Sequence, residues 1–192
     1  MMETKKAPVH IYLESNPNPN SLKFVLNSML VPEGEAYDFP DAGSTENAPL
    51  AGILFGLSYV KRVFYMSNFI TVTKSDEAEW NEIQDEIKQI IKEYIESGKP
   101  VLERVAFAGN ANGDEAEIDI KIKSILEEYI RPAVEQDGGA IQYHSFDNGV
   151  VKVLLQGACS GCPSSMITLK SGIENLLKAM IPEVTSVEAE GV

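Results

Sequence analysis

Cysteine and histidine are scarce in this chain, with two of each in 192 residues. That scarcity excludes a disulfide framework, and it excludes a zinc site with four Cys or His donors unless every such residue took part. Basic residues are also in deficit, 16 against 29 acidic ones, for a formal net charge of −13. Such a balance disfavours nonspecific nucleic-acid binding, which needs Lys and Arg to neutralise phosphates, and it equally disfavours anionic membrane surfaces. No apolar run approaches the roughly 20 residues that span a bilayer. The opening "MMETKKAPVH" is polar and has no apolar signal core. From these absences we expect a cytoplasmic chain with no nucleic-acid or membrane partner, whose thiols are kept reduced and serve chemistry. Internal repeats and low-complexity segments are absent as well.

Apolar residues are plentiful by contrast, 44% of the chain, so packed cores are expected. Gly98, Pro100, Gly109, Asn110, Asn112 and Gly113 punctuate the middle of the sequence. We therefore expect two small domains, 1–98 and 115–192, joined by a linker over 99–114 in which "VLERVAF" forms a short ordered piece. The fold class read from the pattern is α+β. In the first domain a mixed sheet with two helices is expected. Strands fall on "HIYLES" and "SLKFVLN", and a further pair on "VKRVFYM" and "FITVTK" joined by Ser67-Asn68 as a hairpin. One short helix begins at Pro49, after a loop over 40–49. A longer one is capped by Asp76 with Glu79 behind it, carries Trp80, Ile83, Ile87, Ile90, Ile91 and Tyr94 on one stripe, and stops at Gly98. Trp80 reads as core.

The second domain reads α-β-β-α-β. Ile118, Ile122, Ile125, Leu126 and Tyr129 recur at helical spacing until Pro132 ends or kinks the helix. Asp137-Gly138-Gly139 reads as a helix-ending turn, ahead of the alternative of a direct role at the site. "AIQYHSFD" and "VVKVLLQ" flank Asp147-Asn148-Gly149, a hairpin signal. Met166, Leu169, Ile173, Leu176, Leu177 and Met180 give the last helix one apolar face, and "VTSVEAE" is the final strand.

Both cysteines lie where the second hairpin strand runs into that helix, in "QGACSGCPSS". Cys159 and Cys162 are three positions apart, with Cys162 at the helix edge and Pro163 at its first turn. Unpaired amides and the positive end of the helix dipole favour thiolate there. Gly157 and Gly161 let the backbone pass close to whatever the sulfurs hold. Ser164 and Ser165 read as helix caps. Three readings follow. A metal or cluster site wants about four protein donors, and one chain offers two. His10 and His144 lack ligand spacing to the pair, and His144 reads as an ordinary, partly exposed strand residue. A second copy of the chain completes the shell, and a shared, solvent-open site would hold its cargo loosely enough to pass it on. A dithiol oxidoreductase uses the same helix-edge placement, but here a tight hairpin precedes the pair and 30 residues follow Cys162. A zinc-bridged dimer is the third.

Gly157, Cys159, Gly161, Cys162, Pro163, Ser164, Ser165, Thr168, Leu169, Gly172, Ile173 and Glu174, with Arg131-Pro132 and Asp137-Gly138-Gly139 upstream, closely resemble the NifU C-terminal-type (Nfu) family of iron–sulfur cluster carriers. "SNPNPNSLKF" and "PLAGILFGLSYVKRVFYMSNFITVTK" are similar to that family's N-terminal domain, with Tyr59 and Met66 where glycine is more usual. The resemblance implies a carrier rather than an enzyme. It implies a [4Fe–4S] cluster, with [2Fe–2S] as the alternative, bound through iron to Cys159 and Cys162 of each subunit of a homodimer. The cluster would come from an upstream scaffold and go to apo iron–sulfur proteins. Gly157, Gly161, Pro163 and Ser164 would shape the loop. The first domain, which has no cysteine, is left as a recognition or regulatory module.

Overall fold

The computed structural model describes residues 8–103, 116–160 and 162–191. The chain divides into two compact units, taken in turn. The first carries a five-stranded sheet in the order β1-β2-β5-β4-β3, from β1 (Ile11–Ser15), β2 (Ser21–Leu26), β3 (Ala36–Phe39), β4 (Val60–Met66) and β5 (Phe69–Lys74). Every neighbouring pair is antiparallel. The expected mixed sheet is corrected in this respect, because each strand meets its neighbour in the opposite direction. The hairpin at Ser67-Asn68 is present: Ser67 takes a left-handed φ of 46° and the Asn68 side-chain amide donates to the Leu26 carbonyl at 3.0 Å. The sequence pattern does not announce β3. It lies at the edge beside β4, where Arg62 reaches Asp38 at 3.1 Å in a largely buried ion pair.

Two helices complete this unit, α1 (Pro49–Phe55) and α2 (Trp80–Glu96). Within the segment expected to be a loop, Asp41 caps a 3₁₀ turn over Ala42–Thr45 by accepting from the Ser44 amide. α2 starts later than Asp76 would set it. Asp76 instead accepts a hydrogen bond from the Asn20 side chain at 2.6 Å, and the N-cap falls on Glu79, whose side chain makes no capping bond. Its far end is at Gly98 as expected, with a left-handed φ of 71°. Ile83, Ile87, Ile91 and Tyr94 point into the core against Leu22, Phe24, Leu26, Val63 and Val72, and Trp80 packs edge-on to Phe24 at the margin. Val101 and Leu102 pack on this core too, and Glu103 donates its amide to the Asn47 carbonyl. The remainder of "VLERVAF" and of the expected linker lies outside the described residues. Ile87 is fully buried. Ile87→Ala is therefore expected to destabilise this unit by about 2–5 kcal/mol, read from urea midpoints.

The second unit follows the order α-β-β-α-β. α3 (Glu117–Ile125) runs into one π turn over Leu126–Ile130, and α4 (Arg131–Gln136) follows. Pro132 sits in the first turn of α4, where its missing N–H costs nothing, so the chain resets its helical register just before the proline. β6 (Gly139–Asp147) and β7 (Val150–Gly157) are antiparallel, with left-handed Asn148 and Gly149 between them. α5 (Pro163–Met180) crosses over to β8 (Ser186–Gly191), which lies parallel to β7. The mixed sheet of this protein is therefore the C-terminal one. Val151, Val153 and Leu155 alternate inward along β7; Val151 and Val153 meet Ile122, Ile173, Leu177 and Val187, while Leu155 packs with Val134. Met180, expected on the apolar face of α5, is 41% exposed.

Candidate metal centre

β7 delivers the chain to the site through two glycines. Gly157, its last residue, is buried and takes a left-handed φ of 64°, which a residue with a side chain adopts only at a cost. It pairs with Gly139, the first residue of β6, and the next amide, Ala158, donates to the Gly138 carbonyl at 3.2 Å. The Ser160 amide then folds back onto the Gly157 carbonyl at 3.1 Å. Cys159 sits inside this tight turn, and Cys162 is the N-cap of α5, its carbonyl accepting from the Met166 amide at 3.0 Å. Pro163 opens the helix, as expected. Gly161 lies outside the described residues, and so do the side chains of Pro163, Ser164 and Ser165. The N-cap position itself belongs to Cys162, not to either serine, and the Cys162 side chain makes no capping hydrogen bond.

The two thiols are not joined in a disulfide and both are buried, at 4% and 3% exposure. Cys159 packs with Val134 and Leu155, and with Ile130, Ile141, Met166 and Leu169 around them. Burial pushes its thiol up from an ordinary 9.0 to about 12, and the carboxylate of Asp137, at the end of α4, and the neighbouring Cys162 add to the shift. The expected thiolate stabilisation is thus reversed at Cys159. Its sulfur is held among apolar side chains, while the helix N-terminus belongs to Cys162 three residues on.

No cluster of three or more His, Cys, Asp and Glu side chains suited to a metal ion occurs among the described residues. His144 is the extra residue of a bulge in β6, exposed, and remote in register from the cysteine turn. His10 precedes β1 and donates its amide to the Asn27 side chain.

Gly139 is the residue that sequence reasoning placed wrongly, as part of a turn. It is the first strand residue of β6, and a Cβ there would come within 2.8 Å of the Cys159 sulfur. A signal existed. Gly138 takes the left-handed conformation that ends the helix, with φ 79°, so the second glycine needed a reason of its own.

Two family models match the chain. The one described as the scaffold protein Nfu/NifU N-terminal domain matches residues 11–98, and the NifU-like domain matches residues 122–188. The chain is 42% identical over 192 residues to the NFU1 iron–sulfur cluster scaffold homolog, mitochondrial, of Drosophila willistoni, covering 98% of this chain and 66% of that protein. It is likewise 42% identical over 185 residues to the protein of the same description in Drosophila persimilis, covering 95% and 66%. The chain thus spans just under two thirds of these relatives. A solution structure of a NifU-like protein from Saccharomyces cerevisiae is similar at a TM-score of 0.48 and 22% identity, over 55% of this chain and 93% of that one. Both fly relatives are described as mitochondrial, which overturns the cytoplasmic expectation. That expectation rested on a missing signal core, and such a core marks secretion and says nothing of a mitochondrial address. No helix among the described residues is long and apolar enough to cross a membrane.

Proposed function

The chain belongs to the Nfu/NifU family of iron–sulfur cluster scaffold proteins, and on that premise we propose that it holds an iron–sulfur cluster as cargo through Cys159 and Cys162 and passes it to apo-proteins. The observation that carries this reading is the donor count. Two free thiols lie three positions apart in the chain, and no third donor gathers with them among the described residues. Soft thiolates are the ligands that iron–sulfur clusters take, and four of them satisfy a [4Fe–4S] cluster. Two copies of the chain supply four, so the cluster bridges a homodimer. Gly157 and Gly161, with Pro163 and Ser164 at the helix start, shape the loop that presents the sulfurs. The N-terminal domain recognises donors or recipients. The chain is a carrier and turns over no substrate.

The buried, protonated state of Cys159 bears on the competing dithiol reading. An attacking thiol works best with a pKa near the ambient pH, and one held up to about 12 is a poor initiator of exchange at neutral pH. It is compatible with a ligand, because the metal displaces the proton on binding. Loading then requires Cys159 to leave its packed position among Val134 and Leu155.

Anaerobic reconstitution with iron and sulfide tests the proposal. The expected result is a brown protein with about four irons per two chains, the count a shared [4Fe–4S] cluster demands, and a mass in solution that doubles as the cluster forms. Two irons per two chains would replace [4Fe–4S] with [2Fe–2S]. A colourless monomer that reduces disulfides would overturn the carrier reading in favour of the dithiol one.

A further inference from the structure

We propose that Gly139 is the positioning residue for Cys159: the Cys159 sulfur occupies the space that a side chain at position 139 would fill. The inference rests on the carrier reading only in taking Cys159 as a ligand. Four observations carry it. Gly139 is not among the glycines with left-handed φ, so its backbone conformation does not by itself demand glycine. It is buried, at the start of β6 and opposite Gly157 in the β6/β7 ladder. A Cβ built on it would lie 2.8 Å from Cys159 Sγ, too short for a real methyl group, and 3.2 Å from Cys159 Cβ, a tight contact that a small shift relieves. Finally, Cys159 packs at this place with Val134 and Leu155, so its sulfur has an apolar seat of which residue 139 is one wall.

The same Cβ would also lie 2.6 Å from the Gln156 carbonyl oxygen. A simple structural role, keeping the strand ends close, is therefore the competing account. The two differ in what a methyl group at 139 does to the sulfur. If Gly139 seats the thiol, alanine expels Sγ from its burial and the energetic penalty depends on the sulfur being there. If Gly139 serves only the strand pairing, the penalty is set by the Gln156 carbonyl and does not depend on residue 159.

The experiment uses the full chain without cluster, in a Cys162→Ser background, so that Cys159 is the one thiol present. Gly139→Ala is expected to speed modification of Cys159 by an aromatic disulfide at neutral pH by tenfold or more. A double-mutant cycle with Cys159→Ala is read by thermal melting. The Tm loss caused by Gly139→Ala is expected to be at least twice as large with Cys159 present as in the Cys159→Ala background. Unchanged thiol reactivity together with equal Tm losses in both backgrounds would overturn the proposal. Should Gly139→Ala alone fail to fold, Gly139→Ala with Cys159→Ala is expected to give soluble, folded protein, and failure of the pair would equally overturn it. These readouts need no iron. A cluster retained by Cys159→Ala would sink the ligand assignment and leave the seat standing, whereas unchanged reactivity with equal Tm losses would sink the seat and leave the ligand assignment standing.

Discussion

Cys162→Ser is expected to make the apo-protein slightly more stable while abolishing its cluster. The opposite signs come from the position of Cys162 in the fold. It is the N-cap of an 18-residue helix, with an extended φ of −93°, and its side chain makes no capping hydrogen bond. Serine is among the preferred N-cap residues because its hydroxyl accepts from an amide of the first turn, a contact worth about 1 kcal/mol. The replacement is nearly isosteric, and at a site 3% exposed the gain depends on the hydroxyl making that capping bond, which offsets the cost of burying it. On the ligand side the loss is large. The homodimer proposed above would keep two thiolates in place of four, and hydroxyls do not replace them on iron. Iron and sulfide after anaerobic reconstitution should fall at least about tenfold, because half of the proposed ligand set is gone, and the doubling of mass expected of the loaded parent should not occur. Thermal melting of the apo form gives the stability arm. A variant that melts higher and stays colourless fits both roles, whereas one that keeps its iron would remove Cys162 from the ligand set. Cys159→Ala should also lose the cluster, but at some cost in stability, because that sulfur is packed among Val134 and Leu155.

Much of this geometry was legible in the sequence, and what was not has a common cause. The strand, the cysteine turn and the helix opened by Pro163 are contiguous, so local rules locate them. The hairpin at Asn148-Gly149 and the apolar faces of α2 and α5 are local in the same sense. Strand direction in the first sheet is not local. β2 pairs with β5 although β3, α1 and β4 lie between them in the chain, and no short-range pattern states which way they run. The start of α2 was misplaced because Asp76 is engaged by Asn20, a neighbour brought in by that same pairing. Gly139 failed for an equivalent reason. Its meeting with Cys159 is set by the β6/β7 register, not by any neighbour in sequence. The rise in the Cys159 pKa is likewise a tertiary effect, since helix-edge placement predicts the opposite direction and burial prevails.

That reversal carries the second large effect. In folded apo-protein, Cys159 should react with an aromatic disulfide far more slowly than the same cysteine in the unfolded chain. With the thiol pushed up from 9.0 to about 12, the thiolate fraction at pH 8 falls from about one part in ten to about one in ten thousand, roughly a thousandfold decrease. A more basic thiolate is intrinsically more nucleophilic, and with a Brønsted coefficient of about 0.45 the move from 9.0 to about 12 returns roughly twentyfold. The ionisation effect wins, leaving the folded protein about fiftyfold slower before burial hinders access further. The shape of the pH profile is the sharper criterion. Measured on Cys162→Ser, the folded rate should climb about tenfold per pH unit through about pH 9 and 10, while the unfolded control levels off near its ordinary value of 9.0. Stability should follow the same ionisation. The fold favours the protonated thiol, so this contribution is fully present below the unfolded value of 9.0 and is lost as pH rises towards about 12. Alkaline melting curves of Cys159→Ala should therefore be flatter than those of the parent across that window. A folded rate that levels off near the unfolded value, or equals the unfolded rate throughout, would mean that the sulfur is not held where Gly139 and Val134 place it. The cysteine would then be exposed and ready to bind without leaving any seat.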